Sequence, residues 1–331
     1  MRSARRADRA AAQRTPLITL HHLPSAPLAG PNCVAFGNFD GVHRGHQALL
    51  AQVGQRAREL GGQAVAVTFD PHPLTLLRPE QAPRAIDVLA DRLSGLAQAG
   101  VDVAVVLRFD PALAHTSPTD FATRILFTAL HARCVVIGHD TRFGHGGRGD
   151  AALLRQLAVE HRVQVQACAP VVWQGSEVSS SRVRRAIEAG QVQQAAAMLT
   201  RPWRLSGPIV HGDHRGRIIG FATANLQLQG QVVPAHGVYA CWLQRPSGAL
   251  LPAVANCGVR PTFGENTLQI EAHCLDFAGD LYDEAVRLHF VHRLRGELKF
   301  SGLDQLKAQI TADVLAARPI LAAQPLVVGP A

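Results

Sequence analysis

The sequence predicts an α/β domain built on a parallel sheet, followed by an all-β domain, a small barrel or sandwich, that ends in a helix. The chain has 331 residues, more than one hydrophobic core usually serves, so two domains are expected. Over residues 34–168, short apolar runs alternate with helical patterns, which is typical of a parallel sheet covered by helices on both faces. Over residues 205–290, strand-like runs are separated by Gly, Pro and Asn, without a convincing helix. We therefore place a boundary near residue 200, between domains 15–200 and 201–331.

The first domain is expected to contain five strands and four helices. Short apolar runs predict strands at 34–36, 64–69, 101–109, 134–137 and 163–168. Helical patterns lie between them at 47–60, 85–99, 118–132 and 150–161. Gly61 and Gly100 end the first two helices, and Ser117 caps the third before a proline at the first helical position.

The second domain is expected to contain short strands and one closing helix. The strand candidates are 209–210, 232–233, 238–243, 268–275 and 286–290. The helix begins near Ser301, where Ser-Gly-Leu-Asp provides a cap, and runs to about Ala317.

Charge and composition limit the classes of binding partner that are expected. The net charge is +8, and five arginines against one aspartate place half of this excess in residues 1–14, an expected disordered tail. An organellar transit peptide has a similar composition. A frayed bacterial N-terminus is favoured because the tail is short and the whole chain is rich in Ala and Arg. Aromatic residues are 5% of the chain and are not interleaved with basic ones, so no nucleic-acid partner is expected. No apolar run approaches the roughly 20 residues that span a bilayer, so no membrane partner is expected.

Cysteine and lysine usage excludes several site types. The six cysteines are never closer than sixteen positions, which excludes zinc-finger and C-x-x-C spacings. Without a secretory signal they are expected to be reduced in a cytoplasmic protein. The two lysines, Lys299 and Lys307, do not follow a G-x-x-x-x-G, so a Walker A loop is excluded.

Residues 34–50, V-A-F-G-N-F-D-G-V-H-R-G-H-Q-A-L-L, combine a buried strand, a glycine turn and a helix start. After Gly37, His43 and His46 share one face of the first helical turn. A helix N-terminus offers unpaired N–H groups and a partial positive charge, so a nucleotide phosphate site is predicted. Metal ligation or satisfied surface histidines are the alternatives, but the H-E-x-x-H motif of metalloproteases is missing. Asp40 is either a turn residue or an aid in holding Mg²⁺.

Polar residues also follow the other predicted strands, at the edge where parallel sheets bind ligands. D-P-H-P at 70–73 follows the second strand, and a glycine-rich loop with two arginines at 138–150 follows the fourth. The segment 177–185 follows the fifth, and its serines can cap a helix whose first turn carries Arg182 and Arg184. A solvated helix face is the alternative for these two arginines.

With these motifs in place, a family resemblance appears. F-G-N-F-D-G-V-H-R-G-H at 36–46 resembles the H-x-G-H signature of the nucleotidylyltransferase superfamily, in the version of the bifunctional bacterial FAD synthetases. T-F-D-P-H-P at 68–73, the 138–150 loop and S-S-x-R-x-R at 179–184 resemble the first module of the same family.

The second half resembles the flavokinase module of that family, so the resemblance covers about residues 31–318. The motifs are G-D-H-R-G-R-I-I-G-F-A-T-A-N at 212–225, N-C-G-V-R-P-T-F-G at 256–264, I-E-A-H at 270–273 and L-R-G-E-L-K-F at 294–300.

For the first domain, the resemblance implies a Rossmann-like nucleotidylyltransferase fold that adenylylates FMN to FAD and releases pyrophosphate. This reaction needs no enzyme nucleophile, so catalysis is positioning and charge neutralisation. The implied catalytic residues are His43, His46 and Arg182. The implied ATP-binding residues are Gly37, Phe39, Asp40, His43, His46, Ser180, Arg182 and Arg184. The implied flavin and phosphate loop residues are Asp70, His72, Asp140, Arg142 and Phe143.

For the barrel, the resemblance implies phosphorylation of riboflavin to FMN by ATP with Mg²⁺. The implied ATP-binding residues are Gly212, Arg217, Gly220, Thr223 and Asn225. The oxygen atoms of Thr223 and Asn225 suit Mg²⁺. Glu271 is the implied catalytic base on the flavin side with Arg260, and a carboxylate base is worth about 10²–10⁴-fold in rate. The alternative is that Glu271 pairs with Arg260 or another arginine at the barrel rim.

Two positions depart from the family pattern. Ala222 stands where the P-T-A-N loop usually has proline, which removes a rigid φ and bears on kinase efficiency. Thr141 stands where an aromatic residue is common. The hypothesis is a bifunctional enzyme acting on riboflavin, FMN and ATP. An adenylyltransferase without kinase activity and a nucleotide- or flavin-binding regulator without turnover are the alternatives. Weak self-association is compatible with the sequence.

Overall fold

A computed structural model of the chain describes residues 16–211, 221–262 and 265–326, without the side chains of 260–262 and 265–267. The predicted tail, residues 1–14, lies outside the described residues. The chain forms two compact units. The first comprises residues up to Ala82 and Leu93–Val171, and the second comprises Pro83–Arg92 and the chain from Val172 onward. The domain boundary near residue 200, drawn from composition, stays a prediction.

Six strands form the sheet of the first unit: β1 (Ile18–Leu20), β2 (Asn32–Phe36), β3 (Ala64–Asp70), β4 (Val103–Arg108), β5 (Ala132–Gly138) and β6 (Gln164–Cys168). Their order is β1-β4-β3-β2-β5-β6, and every pair is parallel, which confirms the predicted fold class. The chain moves outward in one direction from β2 and in the other from β5. The boundary between β2 and β5 is therefore the switch point outside which such sheets bind ligands.

Both faces of this sheet are covered. Val34 and Phe36 of β2 belong to one buried cluster, whereas Cys33 and Ala35 belong to the cluster on the other face. Burial on both faces explains why the strand is apolar throughout rather than alternating.

The helices between these strands agree with most of the predictions. They are Arg44–Leu60, Pro73–Leu77, Leu89–Gln98, Pro111–Ala114, Pro118–Asp120, the π-helical Phe121–Ala129 and Ala151–Glu160, with 3₁₀ turns at Pro79–Gln81 and His145–Gly147. Ser117 caps its helix as predicted, because its hydroxyl accepts the N–H of Asp120 at 3.0 Å. Two predicted bounds are wrong. The helix expected from residue 85 begins at Leu89, and Ala132, expected at a helix end, begins β5.

The second unit is a closed antiparallel barrel. Its strands are β9 (Trp203–Val210), β10 (Ala224–Leu226), β11 (Gly237–Gln244), β12 (Leu250–Thr262), β13 (Glu265–Cys274) and β14 (Ala285–Arg295), in the order β10-β13-β12-β11-β14-β9. The hairpin β7 (Val172–Trp173) and β8 (Ser176–Glu177) belongs to the same unit, with the helices Ser180–Glu188, Val192–Leu199 and Leu303–Ala323. The barrel and the C-terminal helix confirm the predicted class.

Two predictions in the second half need correction, and one strand was missed. The strand predicted at 232–233 is wrong, because Val232 is buried in the core outside any strand. β12 was not predicted, because Pro252, Asn256 and Gly258 interrupt its apolar pattern. The last helix, predicted to start with a Ser301 cap and to end near Ala317, has Gly302 as its N-cap and runs from Leu303 to Ala323, past Pro319. Over the part of the chain that the structure describes, no helix is long and apolar enough to cross a membrane.

Segment Pro83–Arg92 joins the barrel through buried charges. The Asp91 carboxylate is fully buried; it lies 3.1 Å from Nη2 of Arg204 and accepts from Nε of Arg287 at 2.7 Å. It also accepts a short hydrogen bond from the Ser206 hydroxyl. Burial opposes ionisation of this carboxyl, but Arg204, Ser206 and Arg287 outweigh that effect and hold its pKa below the usual value. Asp91 is therefore a buried anion. Without it, the guanidinium groups of Arg204 and Arg287 would lack its compensating charge.

We predict that Asp91→Asn destabilises the second unit by about 3 kcal/mol or more, because removing one member of a buried ion pair leaves the partner charges unpaired. Tryptophan fluorescence during urea unfolding measures this specifically, since the three tryptophans, Trp173, Trp203 and Trp242, all lie in the second unit. The control is Asp276→Asn, which removes an exposed carboxylate paired with Arg318 and should leave the midpoint nearly unchanged. Equal midpoints for both variants would contradict the prediction.

The same carboxylate sets a pH dependence. Because the pKa of Asp91 is lower in the folded state, its contribution is complete above the unfolded-state pKa of about 3.9 and is lost as pH falls through the lower folded-state value. The free energy of unfolding should therefore fall below about pH 4, and less steeply in Asp91→Asn.

Candidate functional site

The turn after β2 adopts a strained backbone. Phe39, Gly41 and Val42 have φ values of 48°, 82° and 40°, all in the left-handed region. For β-branched Val42 this conformation is unfavourable, and such strain occurs where a functional site requires it. The turn is held by a hydrogen bond from the Val42 N–H to the Phe39 carbonyl and by one from Gln47 Nε2 to the Val42 carbonyl. The strained turn places His43 at the start of the helix Arg44–Leu60.

His43 and His46 form one unit at this helix start, as predicted. His43 is the N-cap, and its Nδ1 accepts the backbone N–H of His46 at 3.4 Å. The two rings stack with centroids 3.7 Å apart, and Phe39 meets the His46 ring edge-on at 5.3 Å. Because Nδ1 of His43 is an acceptor, the proton of its neutral ring lies on Nε2, which is then a donor.

The electrostatics keep His46 neutral. Burial, and then the neighbouring His43, hold the pKa of His46 well below its usual value. Within the described residues, the buried Nδ1 of His46 has no hydrogen-bond partner. A buried, unpaired ring nitrogen is costly unless a ligand satisfies it. Together with the helix N-terminus, this nitrogen is suited to a bound phosphate oxygen.

The loops after β2 and β3 meet. His72 caps the short helix Pro73–Leu77 by accepting the N–H of Leu74, and its Nε2 lies 3.0 Å from the amide of Asn38. The hydroxyl of Thr68 donates to the Asn38 carbonyl at 3.0 Å. Asn38 thus links the predicted phosphate turn to the predicted D-P-H-P loop. Asn38 lies in the predicted turn between Gly37 and Phe39, but the sequence pattern did not identify it as a site residue.

The loop after β5 is anchored by its phenylalanine. The Phe143 ring is 5% exposed and packs edge-on against Phe36 at 5.6 Å, while its backbone pairs with Gly149. Arg142 is exposed, 3.6 Å from the Asp150 carboxylate that caps the next helix. The Phe143 side chain therefore anchors the loop, and its assignment to the flavin and phosphate loop stays a prediction.

The other predicted residues of the first unit lie in these loops. Asp40 is buried in the turn, which suits its turn role, and its Mg²⁺ role stays a prediction. Asp70 ends β3 and Asp140 is exposed after β5. Gly37 directly follows β2. The structure thus brings the predicted turn and the D-P-H-P loop together and places the third loop at the switch point.

The serine–arginine segment belongs to the second unit. Ser179 caps the helix Ser180–Glu188 by accepting the N–H of Arg182. Nη1 of Arg182 donates to carbonyls of the β7–β8 hairpin, at 2.8 Å for Trp173 and 2.7 Å for Ser176, and its guanidinium lies over the Trp173 ring.

Arg184 is 9% exposed, and its Nε donates to the Arg84 carbonyl, so it is not on a solvated helix face. The roles of Ser180, Arg182 and Arg184 toward ATP stay predictions.

Register in the barrel assembles the second candidate site. Asn225 of β10 is directly opposite Glu271 of β13, and Glu271 is directly opposite Asn256 of β12. Opposed residues of antiparallel strands share a face with Cβ atoms about 5 Å apart. Ile270 and Ala272, on either side of Glu271, are buried in the barrel core, so this row lies on the outer face.

Gly258, two residues after Asn256 on β12, lies beside Glu297. A Cβ at Gly258 would lie 2.5 Å from Oε1 of Glu297 and 3.5 Å from Nδ2 of Asn256, so both side chains flank this glycine. The residues that directly follow Glu297 in the chain line an open surface pocket of about 450 Å³. It is lined by Leu298, Lys299, Phe300, Gln305, Ala308 and Gln309.

Asn225, Thr223 and Glu271 were predicted, whereas Asn256 was not, although it opens the N-C-G-V-R-P-T-F-G motif. Gly212, Arg217 and Gly220 lie outside the described residues. Arg260 lies on β12 opposite Thr267, and only its backbone is described. The cross-strand neighbours of Glu271 are two asparagines.

Comparison with known proteins assigns both halves. The family model for FAD synthetase matches residues 26–182, and that for riboflavin kinase matches residues 199–321. The protein named bifunctional riboflavin kinase/FMN adenylyltransferase in Escherichia coli (strain K12) is 39% identical over 300 residues, 90% of this chain and 95% of that protein. The protein of the same name in Pseudomonas fluorescens is 41% identical over 292 residues, 88% and 93% of the two chains.

A solved structure shares the architecture. A Streptococcus pneumoniae structure titled a macrolide-efflux protein has a TM-score of 0.83 at 31% identity, covering 92% of this chain and 99% of its own. The likeness supports the fold described above.

The parallel sheet with its histidine-capped helix, and the barrel with one carboxylate between two asparagines, define a two-module nucleotide-dependent transferase. The two family models place flavins at both modules. The chain belongs to the family of bifunctional riboflavin kinase/FMN adenylyltransferases.

We predict that His46→Ala reduces FAD formation from FMN about 10²–10³-fold, the loss typical of removing one preorganised donor to a developing charge. FMN formation from riboflavin should be unchanged, because Glu271 lies in the other unit. Chromatography of the flavins formed from each substrate measures both steps. His115→Ala is the control, since His115 is an exposed histidine of the same unit stacked on His145. Equal loss of both activities would contradict the assignment.

Proposed function

We propose that the barrel phosphorylates riboflavin to FMN and that the N-terminal α/β module adenylylates FMN to FAD, with ATP as the second substrate of both steps. The observation that carries the proposal is the register row Asn225–Glu271–Asn256. It places a carboxylate between two amides on one face of a fold that matches the riboflavin kinase family. The histidine pair at the switch point supports the second step.

In the kinase step, a riboflavin hydroxyl attacks the γ-phosphorus of ATP and ADP leaves. Glu271 accepts the hydroxyl proton. Asn225 and Thr223 lie on the β10 side of Glu271, and Asn256, with Glu297 beside Gly258, lies on the β12 side. The donor nucleotide therefore binds toward β10 and the flavin toward β12, with the base between them.

Mg²⁺ is part of this proposal. Asn225 lies on the outer face of β10, because its neighbours Ala224 and Leu226 are buried, and Thr223 directly precedes this strand. A hydroxyl and an amide oxygen are the hard donors that Mg²⁺ accepts, and they fit the ion. When bound, the ion would neutralise charge on the ATP phosphates.

In the adenylyl step, a phosphate oxygen of FMN attacks the α-phosphorus of ATP and pyrophosphate leaves. The chain supplies neutral donors, Nε2–H of His43 and the unpaired ring nitrogen of His46, beside a helix N-terminus. Neutral imidazoles in fixed positions stabilise developing charge without reorganisation. Asp70, His72, Asp140 and Arg142 lie on the neighbouring loops. Arg142 is a cation that suits the flavin phosphate, and the other three suit polar groups of the flavin or the nucleotide.

We place the protein in the cytoplasm. All six cysteines are free and buried, which fits a reducing compartment. Binding of nucleic acid or membrane is not part of the proposal.

One assay separates this function from its alternatives. Purified protein with riboflavin, ATP and Mg²⁺ should yield FMN, FAD and pyrophosphate. FAD formed only from added FMN would show that the kinase step is lost, for example through Ala222. No product from either flavin would indicate a binding protein without turnover.

We predict that Glu271→Gln lowers the rate of FMN formation about 10²–10⁴-fold, because the amide cannot accept the hydroxyl proton. FAD formation from supplied FMN should be unchanged. Steady-state rates with each flavin measure this. Glu284→Gln is the matched control, since Glu284 is another barrel carboxylate, paired with Arg245. Full kinase activity in Glu271→Gln would refute the base assignment.

A further inference from the structure

The segment that carries the proposed Mg·ATP ligands is weakly held by the barrel ladder. β10 has three residues, and its pairing with β13 ends at Ala224 opposite Ala272. Thr223, a proposed ligand, lies one residue before this pairing begins. Ala222 is exposed, and alanine does not restrict its own φ. A contact from outside the ladder is therefore required to fix this segment.

His273 provides that contact. Its Nδ1 lies 2.8 Å from the carbonyl oxygen of Ala222. A carbonyl can only accept, so Nδ1 carries the proton and donates. The His273 ring also meets the Phe221 ring edge-to-face, with centroids 5.4 Å apart at 80°. One side chain thus holds two successive residues, immediately before Thr223.

His273 is itself rigidly placed. It lies on β13 opposite Val254, within a ladder of ten residue pairs between β12 and β13. It is two residues from Glu271, so both side chains leave the same outer face of the strand. The base and the contact to the ligand segment are therefore fixed by one strand.

We propose that His273 is a positioning residue of the kinase site: its Nδ1–H holds the Ala222 carbonyl and so fixes Thr223 and Asn225 for Mg·ATP relative to Glu271. This role rests on the proposed kinase function of the barrel. The hydrogen bond from His273 on β13 restrains the backbone at Ala222, which the alanine side chain does not do by itself.

The test compares three substitutions in the full chain. His273→Phe keeps a ring against Phe221 and removes the donor, His273→Asn keeps an N–H donor near the Nδ1 position, and His273→Ala removes both. His273→Phe and His273→Ala should raise KM for Mg·ATP in FMN formation about three- to tenfold, the effect of one neutral hydrogen bond. KM for riboflavin should be unchanged. His273→Asn should restore KM for Mg·ATP to near the wild-type value.

The matched control is His292→Phe. His292 is also a half-buried barrel histidine, but its Nδ1 contacts Gln193 rather than the ligand segment. This variant should leave KM for Mg·ATP unchanged. Tryptophan fluorescence shows whether each variant is folded, and if the phenylalanine variant is not, the alanine and asparagine variants make the same comparison.

Two results would overturn the role of His273. In one, His273→Phe and His273→Ala lower the unfolding midpoint and kcat with an unchanged KM for Mg·ATP, which indicates a structural role only. In the other, His273→Asn is as impaired as His273→Phe, so that the donor is not what matters. Wild-type protein that forms no FMN would instead refute the kinase function itself.

Discussion

Closure of the barrel by the three residues of β10 is the constraint on which the proposed kinase site depends. β10 pairs with β9 on one side and with β13 on the other, so without it the barrel is open. The same pairing puts Asn225 opposite Glu271. A shift of one residue would turn Asn225 into the core and bring apolar Ala224 or Leu226 to the outer face. The register between β10 and β13 therefore determines both the closure of the barrel and the position of Asn225 next to Glu271. Burial of Ala224 and Leu226 in the core fixes the position of the polar residues between and beside them.

The two modules catalyse different phosphorus-transfer reactions, and these reactions need different side chains. Adenylyl transfer needs donors around a phosphate that is already a nucleophile, and the donors proposed for it are the neutral imidazoles at a helix N-terminus of the first unit. Phosphorylation of a hydroxyl also needs a proton acceptor, and the proposed acceptor is the Glu271 carboxylate of the second unit. The low pKa of His46 and the asparagine neighbours of Glu271 each suit one of these tasks. Mutational effects should accordingly be confined to one step.

Motif-bearing loops and the fold class were predictable from sequence, because glycine turns, apolar runs and caps are local signals. The H-x-G-H turn, the Ser117 cap and the parallel sheet follow from such signals. The cross-strand position of Asn256, the Ala222–His273 bond and the buried Asp91 arise from residues far apart in the chain, which no local pattern encodes. β12 was missed for a related reason. Its proline, asparagine and glycine are tolerated because neighbouring strands provide the ladder, and tertiary pairing overrides local propensity. Pro319 inside the last helix is a similar case.

The central claim is that the chain carries two sites, each of which completes one step by itself. The most direct test mixes two variants that each lack one of the two steps. Each of His46→Ala and Glu271→Gln should make little FAD from riboflavin, because each lacks one step. Mixed together with riboflavin, ATP and Mg²⁺, they should make FAD after a lag, as FMN released by the first is used by the second, and added FMN should abolish the lag. A mixture that makes no more FAD than the two variants measured separately, although each retains its own step, would contradict sites that act independently.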